Sequence, residues 1–195
     1  MAVWLWNFWI FSFWGWCLER LFAAVTHSPR QRRRCLLVSP LCPVYGLGMA
    51  AVLALPASLL SGWRLYFFGS LAATAVEYLY HWWGVCFLRV RFWDYASVPG
   101  NLRGRVCLPF SLAWGLLMFP AVKLAAPAAA ALALRVPPLL TWLCLMGFTA
   151  DVVCSLRFLS VTHDLEALRQ AIEALVNSRL TGFQLWALVL SGVFW

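Results

Sequence analysis

Glu77 and Asp151 offer the most chemistry in this chain, because each stands inside a long run of apolar side chains. An ionised acid near the centre of a bilayer costs roughly 2.5–3.5 kcal/mol even on lenient insertion scales. Such a group is kept to bind a cation or proton, to act as a general acid or base, or to organise helices by hydrogen bonding. His81 and Ser155 each follow one of these acids by one helical turn, so each pair shares a helix face. Glu19, near the end of the first apolar run, and Tyr45, in the stretch SPLCPVYGLG, complete the polar set. Glu19, Tyr45, Glu77, His81, Asp151 and Ser155 are therefore expected to converge as one cluster, either substrate-binding or structural. Plainer roles compete for two of them: Glu19 beside Arg20 suits an interfacial ion pair, and His81 suits packing.

Positioning these groups requires helices. The chain has 195 residues, 64% hydrophobic and only 11% charged, more apolar surface than a soluble domain of this length can bury. A crossing takes roughly 20 apolar residues, and five runs approach that length. The expected fold is all-α: a polytopic integral membrane protein with about five transmembrane helices, at about 2–24, 41–60, 65–88, 106–132 and 139–160. Residues 1–160 would form the membrane domain and 161–195 a cytoplasmic segment. Within the latter, Leu165, Leu168, Ile172, Leu175 and Val176 recur at helical spacing, which predicts an amphipathic helix on the membrane or against the bundle. The apolar tail at 182–195 is short for a crossing. At about 1.5 Å per residue, Glu77 and Asp151 both lie roughly 18 Å from the outer surface, which is why they are expected to meet.

The net charge of +8 is distributed asymmetrically. Arg30, Arg32, Arg33, Arg34, Arg89, Arg91, Arg103, Arg105, Arg157, Arg169 and Arg179 fall on one predicted side, against Arg64 and Arg135 in the other turns. This is the positive-inside pattern, and it predicts a multi-pass cell-membrane protein with its N-terminus outside and its C-terminus cytoplasmic. The basic balance is thereby assigned to the lipid bilayer and not to nucleic acid. The first apolar run lacks a basic segment ahead of it and is not expected to be a cleaved leader. There is no Walker A, GxGxxG, HExxH or GxSxG pattern, so neither a nucleotide fold nor an enzyme is expected. Cys17, Cys35, Cys42, Cys86, Cys107, Cys144 and Cys154 lack CxxC spacing, so no metal site, cofactor or disulfide framework is expected.

Six separated motifs carry a further signal: FWGWCLE (13–19), SPLCPVYGLG (39–48), ATAVEY (73–78), RFWDY (91–95), NLRGRVCLPFSLAWG (101–115) and DVVCSL (151–156). In order and spacing this series resembles the bacterial "putative ABC-transporter type IV" family, the CmpB-like permease domain, over about residues 10–160. The resemblance implies a small multi-helix membrane protein of the permease kind. By position it singles out Glu19, Pro43, Tyr45, Gly46, Gly48, Glu77, Tyr78, Trp93, Asp94, Tyr95, Asn101, Gly104, Arg105, Ser111, Trp114, Gly115, Asp151 and Ser155. The chain departs from the family pattern with Cys35 and Ser39 before the PxYG stretch, Val85 where a second glutamate stands, and Ala96 after the WDY motif.

The resemblance implies a transport component acting with a separate ATPase. Five helices seldom enclose an alternating-access path alone, which suggests a homo-oligomer. Residues 89–105, with Arg91, Trp93, Asp94, Tyr95, Asn101, Gly104 and Arg105, form the expected cytoplasmic loop motif or docking surface. Pro43, Gly46 and Gly48 form the backbone motif. The competing expectation is a stand-alone membrane binding or sensing protein with a polar pocket facing the cytoplasm.

Overall fold

A computed structural model describes residues 1–26 and 35–177. Arg30, Arg32, Arg33, Arg34, Arg179 and the tail at 182–195 lie outside the described residues. The chain forms α1 (Ala2–Thr26), α2 (Pro43–Leu53) and α3 (Gly62–Trp83), the last running into a π-helical turn at Gly84–Leu88. A two-strand antiparallel hairpin, β1 (Asn101–Leu102) and β2 (Val106–Cys107), leads into α4 (Leu108–Pro120). A second π-helical turn, Ala121–Ala125, joins α4 to α5 (Ala126–Ala133). Helices α6 (Pro138–Thr162) and α7 (Leu165–Asn177) follow.

Among the described residues, three stretches are long and apolar enough to cross a membrane: Ala2–Thr26, Leu108–Ala133 and Pro138–Thr162. These support three of the five expected crossings. Helix α3 has the length but carries Glu77, His81 and three tyrosines, which make it more polar. Helix α2 differs from the expected 41–60. Pro43 at its first turn has a preset φ and suits the start, but the helix stops at Leu53. Pro56 supplies no N–H and disfavours helical geometry at Leu55, so the chain turns through Ala57–Leu59. The result is a rod of about 16 Å, half a bilayer in length.

Helices α1 and α2 approach closely at two glycines, Gly15 and Gly46. A Cβ on Gly15 would fall on the Tyr45 ring, and one on Gly46 would fall on Ser12 Oγ and 2.5 Å from the Phe8 carbonyl oxygen. Small residues at such crossings let backbones approach, which is how helices associate where hydrophobicity supplies no contrast. Large apolar side chains elsewhere face outward, among them Phe67, Leu71, Leu116, Trp142 and Met146.

At the end of the bundle bearing the hairpin, Leu36, Leu37, Val90, Phe92 and Leu159 form a buried cluster with Leu165 and Leu168 of α7. The amphipathic helix thus packs against the bundle, and Arg169 on its outer face pairs with Glu166 and Glu173. His163, in the left-handed region, ends α6, and its Nδ1 lies 2.8 Å from the Leu88 carbonyl oxygen.

Candidate functional site

Glu77 is buried, 2% exposed, on the inward face of α3. Its carboxylate accepts hydrogen bonds from Trp114 Nε1 on α4 at 3.0 Å and from the Tyr95 hydroxyl at 3.2 Å. Trp114 meets the Tyr45 ring edge-on at 5.2 Å, and the Tyr45 hydroxyl donates to Glu19. Glu19, Tyr45, Trp114, Glu77 and Tyr95 therefore form a continuous polar and aromatic chain from α1 to the loop after α3.

Glu77, Tyr45 and Trp114 also line a cavity of about 590 Å³. The remainder of its wall is apolar and comes from α1, α2, α3 and the α4–α5 helix, including Phe11, Trp14, Met49, Leu117 and Met118. Gly48, one of the expected backbone positions, opens onto it as well. Among the described residues the wall holds one carboxylate and no basic side chain.

Asp151 and Ser155 do not line this cavity. Asp151 is instead the anchor of the irregular segment before α2. Its Oδ1 accepts from the Val38 N–H at 3.1 Å and from Ser155 Oγ at 3.0 Å, and its Oδ2 accepts from the Ser39 N–H at 2.9 Å. Non-helical backbone at membrane depth persists only where protein groups satisfy it, and Asp151 does so for two successive amides. The two acids thus have separate partners, and the single converged cluster expected from the sequence divides into a Glu77 group and an Asp151 group.

His81 belongs to neither. Its Nε2 lies 2.8 Å from the Trp93 carbonyl oxygen, so that nitrogen carries the proton and donates. The ring packs edge-on against the Trp93 indole at 5.1 Å.

The loop motif is mostly turned inward. Trp93 Nε1 donates to the Arg105 carbonyl at 2.7 Å, and the Arg105 guanidinium donates to the Tyr78 hydroxyl at 2.8 Å. The Asn101 amide donates to Ala96 O and Val98 O and accepts from the Gly104 N–H, knitting the loop to the hairpin. The Gly104 carbonyl in turn accepts from the Tyr95 N–H at 2.9 Å, while the Tyr95 ring stacks on Phe110 at 5.1 Å. Together these contacts hold Tyr95 over Glu77. Only Arg91 and Asp94, 3.6 Å apart, are chiefly solvent-facing among the expected docking residues.

Gly104 has φ of +67°, and a Cβ there would sit 2.8 Å from Asp94 Oδ1. Gly104→Ala is therefore expected to cost about 1–2 kcal/mol, from left-handed strain. The check is a lower thermal unfolding midpoint in detergent, with Ser97→Ala in the same loop as the comparison that leaves it unchanged.

Trp114 is the residue whose importance the sequence understated. By sequence it is only a motif position, whereas it donates to Glu77 and walls the cavity. Its signal was an indole in the interior of an apolar helix, away from the ends where tryptophan anchors at interfaces.

Neither a curated protein nor a solved structure matches the chain. A family match does exist and spans residues 6–156, taking in the Glu77 group, the Asp151 anchor and the whole loop that carries Tyr95. On that extent, the chain belongs to the family described as "Putative ABC-transporter type IV".

Proposed function

We propose that this protein is a permease-type, non-enzymatic component of a membrane transporter that acts with a separate ATPase. The Glu77 cavity is its substrate site. The observation that carries the reading is a buried carboxylate on the wall of an otherwise apolar cavity within a helical membrane domain. Pockets of about 300–1,000 Å³ with few, well-placed polar groups are the usual form of small-molecule sites. Family membership points the same way.

Coupling follows from the loop. Arg91, Asp94 and the hairpin tip at Leu102 and Arg103 are exposed, while Tyr95 between them reaches Glu77. A cytoplasmic ATPase docked on this surface would displace Tyr95 and so alter the cavity. A homo-oligomer would complete the translocation path.

The test is affinity purification of the tagged full chain from its native membrane. An ATPase subunit is expected to co-purify and to be lost from the Arg91→Glu, Arg103→Glu double variant, while the purified chain keeps its unfolding midpoint. Recovery of the chain alone, with no transport defect on deletion, would sink the transporter reading and leave a stand-alone binding protein.

A further inference from the structure

We infer that the Glu77 cavity takes one acyl tail of a membrane phospholipid, admitted sideways from the bilayer between α1 and α4. The inference rests on the cavity being the substrate site and names the chemical class that fills it.

Position sets the route. The cavity wall includes Trp14 on α1 and Leu117 and Leu124 on the α4–α5 helix, all of them exposed. All three lie on stretches apolar and long enough to cross a membrane, so the medium they face is acyl chains. Helix α1 touches α5, and it meets α4 where Phe22 packs on Phe110 at 6.1 Å. The mouth lies between these two closures.

Shape and chemistry set the occupant. Along the α4–α5 helix the wall runs from Trp114 to Ala128, about 20 Å at the usual helical rise. Spread over that length, a cavity of about 590 Å³ averages about 30 Å² in section, which suits one extended hydrocarbon chain. A helix about 10 Å across needs more than twice that section, so neither a partner's helix nor one from a second copy fits. The polar groups deep in the wall are engaged within the protein: Glu77 accepts from Trp114 and Tyr95, and the Tyr45 hydroxyl donates to Glu19. A methylene chain passes them without displacing any of these bonds, whereas a polar guest would compete with them. Apolar cavities stay dry and take apolar guests. A tail inside gains dispersion contacts along the whole lining.

The experiment uses the purified full chain in phosphatidylcholine nanodiscs doped with a phosphatidylcholine that bears a diazirine in one acyl tail. Label is mapped to residues by tandem mass spectrometry. Met49 and Met118 line the cavity and are only 3% and 7% exposed, so lipid around the outside of the bundle does not reach them. Both are expected to carry label, as are the outward-facing Leu140 and Met146 of α6. Leu117→Trp narrows the mouth and should cut label at Met49 and Met118 at least tenfold, with Leu140 and Met146 unchanged. Label confined to outward-facing residues overturns the inference, as does equal label at Met49 and Met118 in parent and variant. A second arm leaves the wall intact and puts photo-methionine at positions 49 and 118. Cross-links to phospholipid are expected there, and cross-links to a second copy or to another polypeptide overturn the inference. Because binding is read without turnover, an occupied cavity with no ATPase recovered removes the transporter reading alone. A co-purifying ATPase with no label at Met49 and Met118 removes the tail assignment alone.

Discussion

Asp151→Ala is expected to destabilise the protein by about 3–6 kcal/mol, since a hydrogen bond to a charged group contributes roughly 1.5–3 kcal/mol and two backbone N–H groups lose theirs. The carboxylate is 9% exposed and holds Val38 N–H, Ser39 N–H and Ser155 Oγ. Its removal leaves two adjacent backbone donors without their acceptor, in a segment where no helix supplies another. Asp151→Asn should be nearly as damaging, because one end of the amide then presents N–H₂ to a backbone N–H. Ser155→Ala deletes a single donor and should cost about 1 kcal/mol. Denaturant or thermal unfolding in a mild detergent measures all three. Equal, small losses for Asp151→Ala and Ser155→Ala would show that the carboxylate is not the anchor of this segment.

Gly46→Val should be the most disruptive substitution at a helix crossing, with a loss of about 3 kcal/mol, at the upper end of what overpacking costs. The added atoms would meet Ser12 Oγ and, 2.5 Å away, the Phe8 carbonyl oxygen, a backbone atom that cannot rotate aside. Helix α2 must then move off α1, which also breaks the Cys42 N–H bond to the Ser12 carbonyl at 2.9 Å. Cys42 is 4% exposed, so its thiol reports the separation. With Cys42 as the sole cysteine, maleimide labelling should rise several-fold in Gly46→Val at temperatures where the parent chain resists it. Labelling that stays at the parent level would mean that α1 and α2 do not rely on this contact.

Much of the architecture was legible because membranes impose one-dimensional rules. Long apolar runs predict α1, the α4–α5 helix and α6, and the period of Leu165, Leu168 and Ile172 predicts α7. The sequence overstates the length of α2 because the apolar stretch continues past Leu53, while Pro56 and the turn after it decide where the helix ends. The hairpin was not foreseen, since two-residue strands leave no periodicity to read.

The site was legible in depth but not in direction. Rise per residue gives the distance of Glu77 and Asp151 along their helices, and says nothing of where each helix points its face relative to its neighbours. That orientation comes from crossings such as Gly15 against Tyr45, which only the folded chain reveals. Likewise, Arg105 read as a docking charge because arginine normally seeks water, whereas here Tyr78 binds its guanidinium and stacks beneath it at 5.0 Å.

The wide turn after Pro120 has a consequence for everything downstream of it. A regular helix advances about 100° with each residue, and a π-helical turn absorbs one residue beyond that schedule. The α4–α5 rod is thus two helical phases spliced at Ala121–Ala125. The first phase aims Trp114 and Met118 at α3, and the second aims Ala126, Ala129 and Ala133 inward, with α5 against α1. Were the splice ironed out by losing one residue, the alanine stripe would swing a quarter-turn or more toward lipid, and a single rod could no longer serve both neighbours.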